Sequence, residues 1–504
     1  MSFLYRKAAQ MLSRCSQGGG IKNVLLENED KSIKKLYSIL YKALEDLDLL
    51  NKIYNIYLSK ICKNKFLGII LLSVLVHRNK IDGGGKLKRE IKKREREILD
   101  FYKKAREKPY NNNILEINNI SKYFLIYGND NSIKEELMRS IQIEEDEDIR
   151  NLYKITNNKV KMLIDSRFYR ENKIRIIDKT SCLVVKAGNI KRGMVVVDIC
   201  SSPGSKAIFS LISLKKKGYL ICVEKNKKRC FTLLNEILKN GEYDGLYLDE
   251  HFIESEKFIL NEYNFFNNKK HNIYYIKHKN NELIIKIYNC DFLNLSSDDF
   301  PNKIDVVYID PSCSSSGMPD FIYKKNIENA FSNKNYKNEK YNKSDNFKKK
   351  INKQRNENTN NIDKFNNATE WQNINESDNI IEESNDYMPE KISEIKIPKV
   401  PSIFKDKVKK LSEFQKKILN HALVNLTGSS TFIYSTCSFF EEENEQVIQE
   451  VLQKNPNFYL KKAGKDKFLS NNHKYDFSNK CIRTFPEKDL CRGIFISKIC
   501  RKNI

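Results

Sequence analysis

Two cysteines in this chain stand where a thiol could do chemistry. Cys313 follows "IDVVYIDPS", and Cys437 ends "STFIYSTC", 124 residues later. Each comes just after a short β-branched, apolar run, the pattern of a buried strand. Asp310 and Pro311 precede Cys313, and the proline cannot continue a ladder, so it turns the chain outward. Parallel strands in one sheet bring their carboxyl ends to one edge, where ligands bind. Cys313, Cys437 and Asp310 can then converge although distant in sequence. A lone cysteine is more often a small buried hydrophobe, and that reading suits most of the other ten.

Acids mark the same edge on three earlier strands. "VVVDICSSPGSK" ends a strand with Asp198, turns through Pro203-Gly204 and opens a helix. Such a turn lets backbone N–H groups and a helix N-terminus approach a nucleotide-like ligand. Gly204 has no Cβ, so a ligand can lie against it. The turn is neither a G-x-G-x-x-G fingerprint nor a P-loop. Glu224 ends the next strand, 26 residues after Asp198, where a carboxylate can accept from both ribose hydroxyls. Taken alone it also reads as a helix N-cap neighbour. Asp291 ends "YNCD" and can accept from an adenine amino group. The ordered series says more than any one acid.

The elements that must position these residues alternate strand and helix from residue 191 to 504, the pattern of an α/β parallel sheet with crossover helices. Strands are expected over 194–200, 218–224, 283–291, 304–310, 430–437 and 493–500. Residues 115–190 read as a small α+β module, "KYFLIYGNDNSIKEELMRSI" being strand, turn and helix. Residues 1–110 read as a helical domain with a break at Gly83-Gly84-Gly85. Two tracts rich in Asn and Lys, about 245–282 and 320–402, interrupt the alternation and read as low-complexity insertions.

The chain carries 90 Lys+Arg against 65 Asp+Glu, a formal charge of +25. A balance this basic points to a polyanion, nucleic acid before a membrane surface, although Lys-rich composition accounts for part of it. Its most apolar run, "FLGIILLSVLV", is too short to span a bilayer and is expected as a buried helix. Twelve cysteines without a C-x-x-C pair argue against a zinc ribbon or a redox motif. The N-terminal "MSFLYRKAAQMLSRCS" lacks an apolar signal-peptide core.

These motifs together resemble the Sun/Fmu family of RNA cytosine-5 methyltransferases. "DICSSPGSK" resembles its D-x-C-A-A-P-G-G-K, "DPSCSSSGM" its D-P-[PS]-C-S-G-x-G, and "YSTCSFFEEENE" its Y-S-T-C-S-x-x-x-x-E-N-E. "IRTFPEKDLCRGIFISKI" resembles the closing segment. "SQGGGIKNVLL" and "VLVHRNKIDGGGKLKREI" are similar to the subgroup that acts on large-subunit ribosomal RNA.

The resemblance implies a Rossmann-like sheet, mostly parallel with an antiparallel final strand, and S-adenosylmethionine as cofactor. It implies Cys437 as nucleophile at cytosine carbon-6, Cys313 in release, Asp310 on the base edge, and Lys206 orienting the base or lowering a thiol pKa. Cys200, Ser201, Ser202, Pro203, Gly204, Ser205 and Lys206 would line the cofactor with Glu224, Arg229, Asp291 and Asp310. RNA is the expected partner, no membrane is, and a nucleolar monomer is expected ahead of a mitochondrial protein.

Departures from the pattern are specific. Ser201-Ser202 replace Ala-Ala, Ser205 the second glycine, Ser315 a glycine after Cys-Ser, and Asn226 a second acid. Leu125 and Tyr127 stand where the family's orienting module has Arg and Asn. The substituted glycines and the long insertions motivate an alternative, a pre-ribosomal RNA-binding assembly factor with little or no methylation activity.

Overall fold

A computed structural model describes residues 3–16, 33–107, 121–243, 245–249, 272–318, 397–401 and 404–502. The tract around 320–402 lies almost wholly outside these residues. The chain divides into two compact units, one from residues 1–115 with 320–376, the other from 116–319 with 377–504.

The first unit is helical where described: α1 (Phe3–Ser16), α2 (Ile33–Glu45), α3 (Leu47–Ile53), α4 (Lys65–Arg78), α5 (Lys86–Lys93) and α6 (Glu95–Glu107). The apolar run expected as a buried helix is α4. Asn64 caps it by accepting from the Leu67 N–H, and Asn79 ends it in the left-handed region at φ 50°. Its middle turns are apolar all round, and nearly every side chain there is inside, Ile69, Ile70, Leu71 and Leu72 among them. No described helix is long and apolar enough to cross a membrane.

The second unit holds two sheets. A four-stranded antiparallel sheet comprises β1 (Lys122–Ile126), β2 (Glu144–Glu145), β3 (Leu152–Ile155) and β4 (Ile174–Ile176), with α7 (Asn131–Ile141) between β1 and β2. The main sheet is built from β5 (Val195–Ile199), β6 (Lys217–Val223), β7 (Leu246–Leu248), β8 (Asn272–His278), β9 (Glu282–Asn289), β10 (Val306–Ile309), β11 (Thr431–Thr436), β12 (Phe458–Lys461), β13 (Ile482–Thr484) and β14 (Ile494–Arg501). Its order is β12-β14-β11-β10-β5-β6-β9-β8-β7, with β13 also on β14.

The centre, β11-β10-β5-β6-β9, is parallel, and β14 runs antiparallel to β11 as expected for a final strand. Antiparallel strands also extend the other edge. Residues 272–278, inside a tract read as an insertion, form β8 and pair with β9. Their Asn and Lys hid a strand whose buried pair is Tyr275 and Ile276.

Helices cover both faces, so β5 reads "VVVDI" with every residue buried. On one face α8 (Lys179–Gly188), α9 (Ser205–Leu214) and α10 (Lys227–Leu238) pack over Val196, Leu220 and Ile285. On the other α11 (Lys405–Asn425) and α12 (Glu445–Lys454) pack over Val197, Ile221 and Phe432.

Topology locates the site. From β5 the chain builds outward through β6 to β9, then returns to place β10 on the other side of β5. Adjacent strands thus send their crossovers apart, opening a crevice beyond the carboxyl ends of β5 and β10.

Candidate functional site

The crevice is lined first by the turn after β5. Cys200 takes φ 64° and Gly204 φ 114°, both in the left-handed region, and α9 begins at Ser205. Glycine at 204 serves the backbone itself, because an added Cβ would also lie 3.0 Å from Leu233 Cδ1. The two serines that replace alanines are tied to protein. Ser201 Oγ donates to Asp198 O at 2.5 Å and accepts from the Val223 N–H at 3.1 Å, stitching β5 to β6. Ser202 Oγ donates to Arg229 O at 2.9 Å, and the Arg229 guanidinium returns a bond to Ser202 O at 2.6 Å.

Glu224 follows β6 and is buried. One oxygen accepts from the Asn226 N–H at 2.8 Å and the other lies 3.5 Å from Arg229. Asp291 follows β9 and caps the short turn at 292–294 by accepting from the Leu293 N–H at 3.1 Å. Its second oxygen pairs with Lys225 at 2.7 Å. Burial would raise this carboxyl, but the Lys225 bond carries it below the usual range. Asp291 therefore stands at the expected strand end with both oxygens already engaged.

Asp198 differs from all of these. It is fully buried at the end of β5, and neither carboxylate oxygen has a hydrogen-bond partner among the described residues. Burial pushes its pKa up to about 7, partly opposed by the Lys206 ammonium. The folded state then keeps a proton that an unfolded carboxylate loses near about pH 4, so stability falls as pH rises between those values and levels off above 7. Asp198→Asn removes this dependence. The gap between variant and wild-type melting temperatures is expected to widen from about pH 5 to about pH 7 and then hold. Parallel melting curves at every pH would show that Asp198 does not carry the proton.

The second wall comes from β10 and β11. They pair in register Val307 with Phe432 through Ile309 with Tyr434, so Asp310 and Ser435 emerge side by side. Lys206 Nζ donates to Asp310 Oδ2 at 2.5 Å, and Ser435 Oγ donates to Oδ1 at 2.9 Å. Burial alone would lower the Lys206 pKa, yet the facing Asp310 carboxylate raises it above the ordinary value. The ion pair is charged and held from both sides. Sequence reasoning missed Ser435, although its position just before Thr436-Cys437 at a strand end was visible.

Beyond Asp310 the two cysteines meet. Their sulfurs are 3.0 Å apart and both thiols are free. Both are half-buried. The hydrogen bond between them splits their acidities. Cys437 is pulled below the ordinary thiol value by the bond from Cys313, with help from Lys206 against the opposing effects of burial and Asp310. Cys313 is raised by the same bond and by burial. Of the twelve cysteines Cys437 alone is lowered; Cys200, for example, is pushed up to about 12 by burial. Ser315, where a glycine is usual in the motif, takes φ 60°, a conformation that costs a side-chain-bearing residue about 1 kcal/mol or more.

The structure thus brings together Cys313, Cys437, Asp310 and Lys206, with Cys200 to Ser205 across the crevice. Glu224, Arg229 and Asp291 lie along the same sheet edge, further from the thiols in strand order. For an adenosyl cofactor the residues fit: a helix N-terminus opens at the switch point, a buried acid follows the second strand, and the Asp198 oxygens lack partners among the described residues. No group of acids, histidines and cysteines suited to a metal occurs among the described residues.

Residues 390–500 match the family model described as 16S rRNA methyltransferase RsmB/F. A Drosophila melanogaster 28S rRNA (cytosine-C(5))-methyltransferase is 24% identical over 326 residues, 64% of this chain and 48% of that protein. The Caenorhabditis elegans 26S rRNA (cytosine-C(5))-methyltransferase nsun-5 is 39% identical over 97 residues, 18% of this chain and 22% of its own. The chain thus spans about half the length, or less, of these curated relatives. The crystal structure of PH0851 shares the fold at TM-score 0.51 and 14% identity, covering 99% of this chain and all of that one.

Proposed function

We propose that this protein, whose residues 390–500 match the family model described as 16S rRNA methyltransferase RsmB/F, transfers a methyl group from S-adenosylmethionine to carbon-5 of a cytosine in large-subunit ribosomal RNA. The observation that carries the reading is the pair of thiols 3.0 Å apart beside the Lys206–Asp310 ion pair. A basic chain of net charge +25 suits an RNA substrate. The named activities of the fly and worm relatives favour ribosomal RNA, and a nucleolar site of action follows from that substrate.

Cytosine carbon-5 is a poor nucleophile on its own. Cys437 is the thiol that attacks: its sulfur bonds to carbon-6, and the electron pair of the 5,6 double bond becomes available at carbon-5. When bound, S-adenosylmethionine would supply the electrophilic methyl group that carbon-5 takes, its sulfur keeping the electron pair of the broken sulfur–methyl bond. Asp310 faces the ring-nitrogen and amino edge of the base, and its carboxylate, fixed by Lys206 and Ser435, accepts from the amino group. Lys206 also favours the Cys437 thiolate. Cys313 assists release, in which carbon-5 gives up its proton to a base, that C–H electron pair re-forms the ring double bond, and the Cys437–carbon-6 bond breaks with its electron pair leaving on the Cys437 sulfur. The strand-end turn 200–206, with Glu224, Arg229 and Asp291, binds the cofactor.

Methyl transfer in vitro tests this. Purified protein with methyl-labelled S-adenosylmethionine is expected to label large-subunit ribosomal RNA at cytosine carbon-5. Tight RNA binding without any label would favour the assembly-factor reading instead.

A further inference from the structure

Both cysteine loops are anchored on one buried carboxylate. Glu443, fully buried just ahead of α12, accepts from the Ser314 N–H at 2.8 Å on Oε1 and from Ser438 Oγ at 2.6 Å on Oε2. Ser314 follows Cys313 and Ser438 follows Cys437, so each oxygen holds the residue after one of the two thiols. Gln415 Nε2, on α11, donates both to Glu443 Oε1 at 3.0 Å and to Ser312 O at 2.9 Å, gripping the Cys313 loop from its other side.

Direct bonds between the loops complete the clamp. The Gly317 N–H donates to Cys437 O at 2.9 Å, and the Phe439 N–H donates to Ser316 Oγ at 2.7 Å. The carboxylate is itself fixed from behind: the Glu443 carbonyl accepts from Tyr434 OH at 2.7 Å, and the next residue, Asn444, accepts from Thr436 Oγ1 at 2.5 Å.

Burying an acid is costly, and no ion pair to Glu443 forms among the described residues. Its neighbours differ. Glu445 is also buried but is matched by both oxygens to Arg483 at 2.6 Å, and Glu441 pairs with Lys474. What Glu443 has in place of a cation is donors from both cysteine loops, one on each of its oxygens.

We propose that Glu443 is a positioning residue: by tying Ser314 and Ser438 to one carboxylate it sets the 3.0 Å approach of Cys313 to Cys437. The catalytic meaning of this rests on the proposed reading of the two cysteines. The geometric claim can be tested without RNA or cofactor.

The test is alkylation of Cys437 in the folded full-length protein, followed peptide by peptide by mass spectrometry from about pH 6 to about pH 10. Glu443→Ala is expected to raise the midpoint for Cys437 towards that of Cys313→Ala, slowing alkylation at pH 7 about tenfold. Glu443→Gln, which keeps an acceptor for Ser314, is expected to shift it less. The double variant Glu443→Ala with Cys313→Ala is expected to match Cys313→Ala alone, because Glu443 acts through that contact. If Glu443→Ala does not fold, Gln415→Ala reads the same clamp through Ser312. A Cys437 midpoint unmoved by these variants, or additive shifts in the double variant, would overturn the proposal. Failure to methylate RNA despite the expected alkylation pattern would count against the proposed function and leave the clamp standing.

Discussion

Cys437→Ala is expected to abolish methyl transfer, with turnover reduced by at least about 10³-fold, the scale seen when a nucleophile is removed. The expectation rests on three features of the residue. It is the only cysteine of twelve whose thiol is lowered, it is half-buried, and it faces the Lys206–Asp310 pair. Alanine keeps the backbone that bonds Gly317 and removes one sulfur, so fold and cofactor binding should survive. Melting temperature and cofactor binding check this. A variant that retains methyl transfer within about tenfold of wild type would show that another group attacks.

Cys313→Ala is expected to stall the proposed reaction after attack. The methylated base then remains bonded to Cys437, giving a slow-migrating protein–RNA species on a denaturing gel and multiple turnover lower by about 10²-fold or more. The variant also loses the hydrogen-bond donor that lowers Cys437. The Cys437 pKa therefore rises, its thiolate forms at higher pH, and the adduct should accumulate faster as pH is raised. Adding Cys437→Ala should remove the band. No trapped species in Cys313→Ala at any pH would contradict its assignment to release.

Much of this architecture was legible in the chain because parallel strands buried on both faces are written as continuous apolar runs. "VVVDI", "LIIKI" and "VVYID" announce β5, β9 and β10, and strand-end residues of a parallel sheet share one edge, so Asp310, Cys313 and Cys437 could be placed together. The antiparallel strand β8 was not legible, since its Tyr, Lys and Asn look like the surrounding low-complexity tract.

Three parts of the site emerge only in the folded chain. The acidic run after Cys437 reads as a favourable helix start, yet Glu443 and Glu445 turn inward to two different sets of partners. Sequence spacing cannot distinguish a carboxylate facing solvent from one gripping a loop. The serines at 201 and 202 read as departures from the cofactor motif, whereas they bond β6 and Arg229. Ser435 is silent in sequence because a hydroxyl near a cysteine carries no signal until the neighbouring strand supplies Asp310.

The proposed product is 5-methylcytosine in large-subunit ribosomal RNA. Bisulfite sequencing of ribosomal RNA tests it most directly, in cells depleted of the protein and resupplied with wild type or Cys437→Ala. Depletion is expected to render one protected cytosine convertible, wild type to restore protection, and Cys437→Ala to leave it convertible. Unchanged protection at every large-subunit cytosine after depletion would contradict the claim.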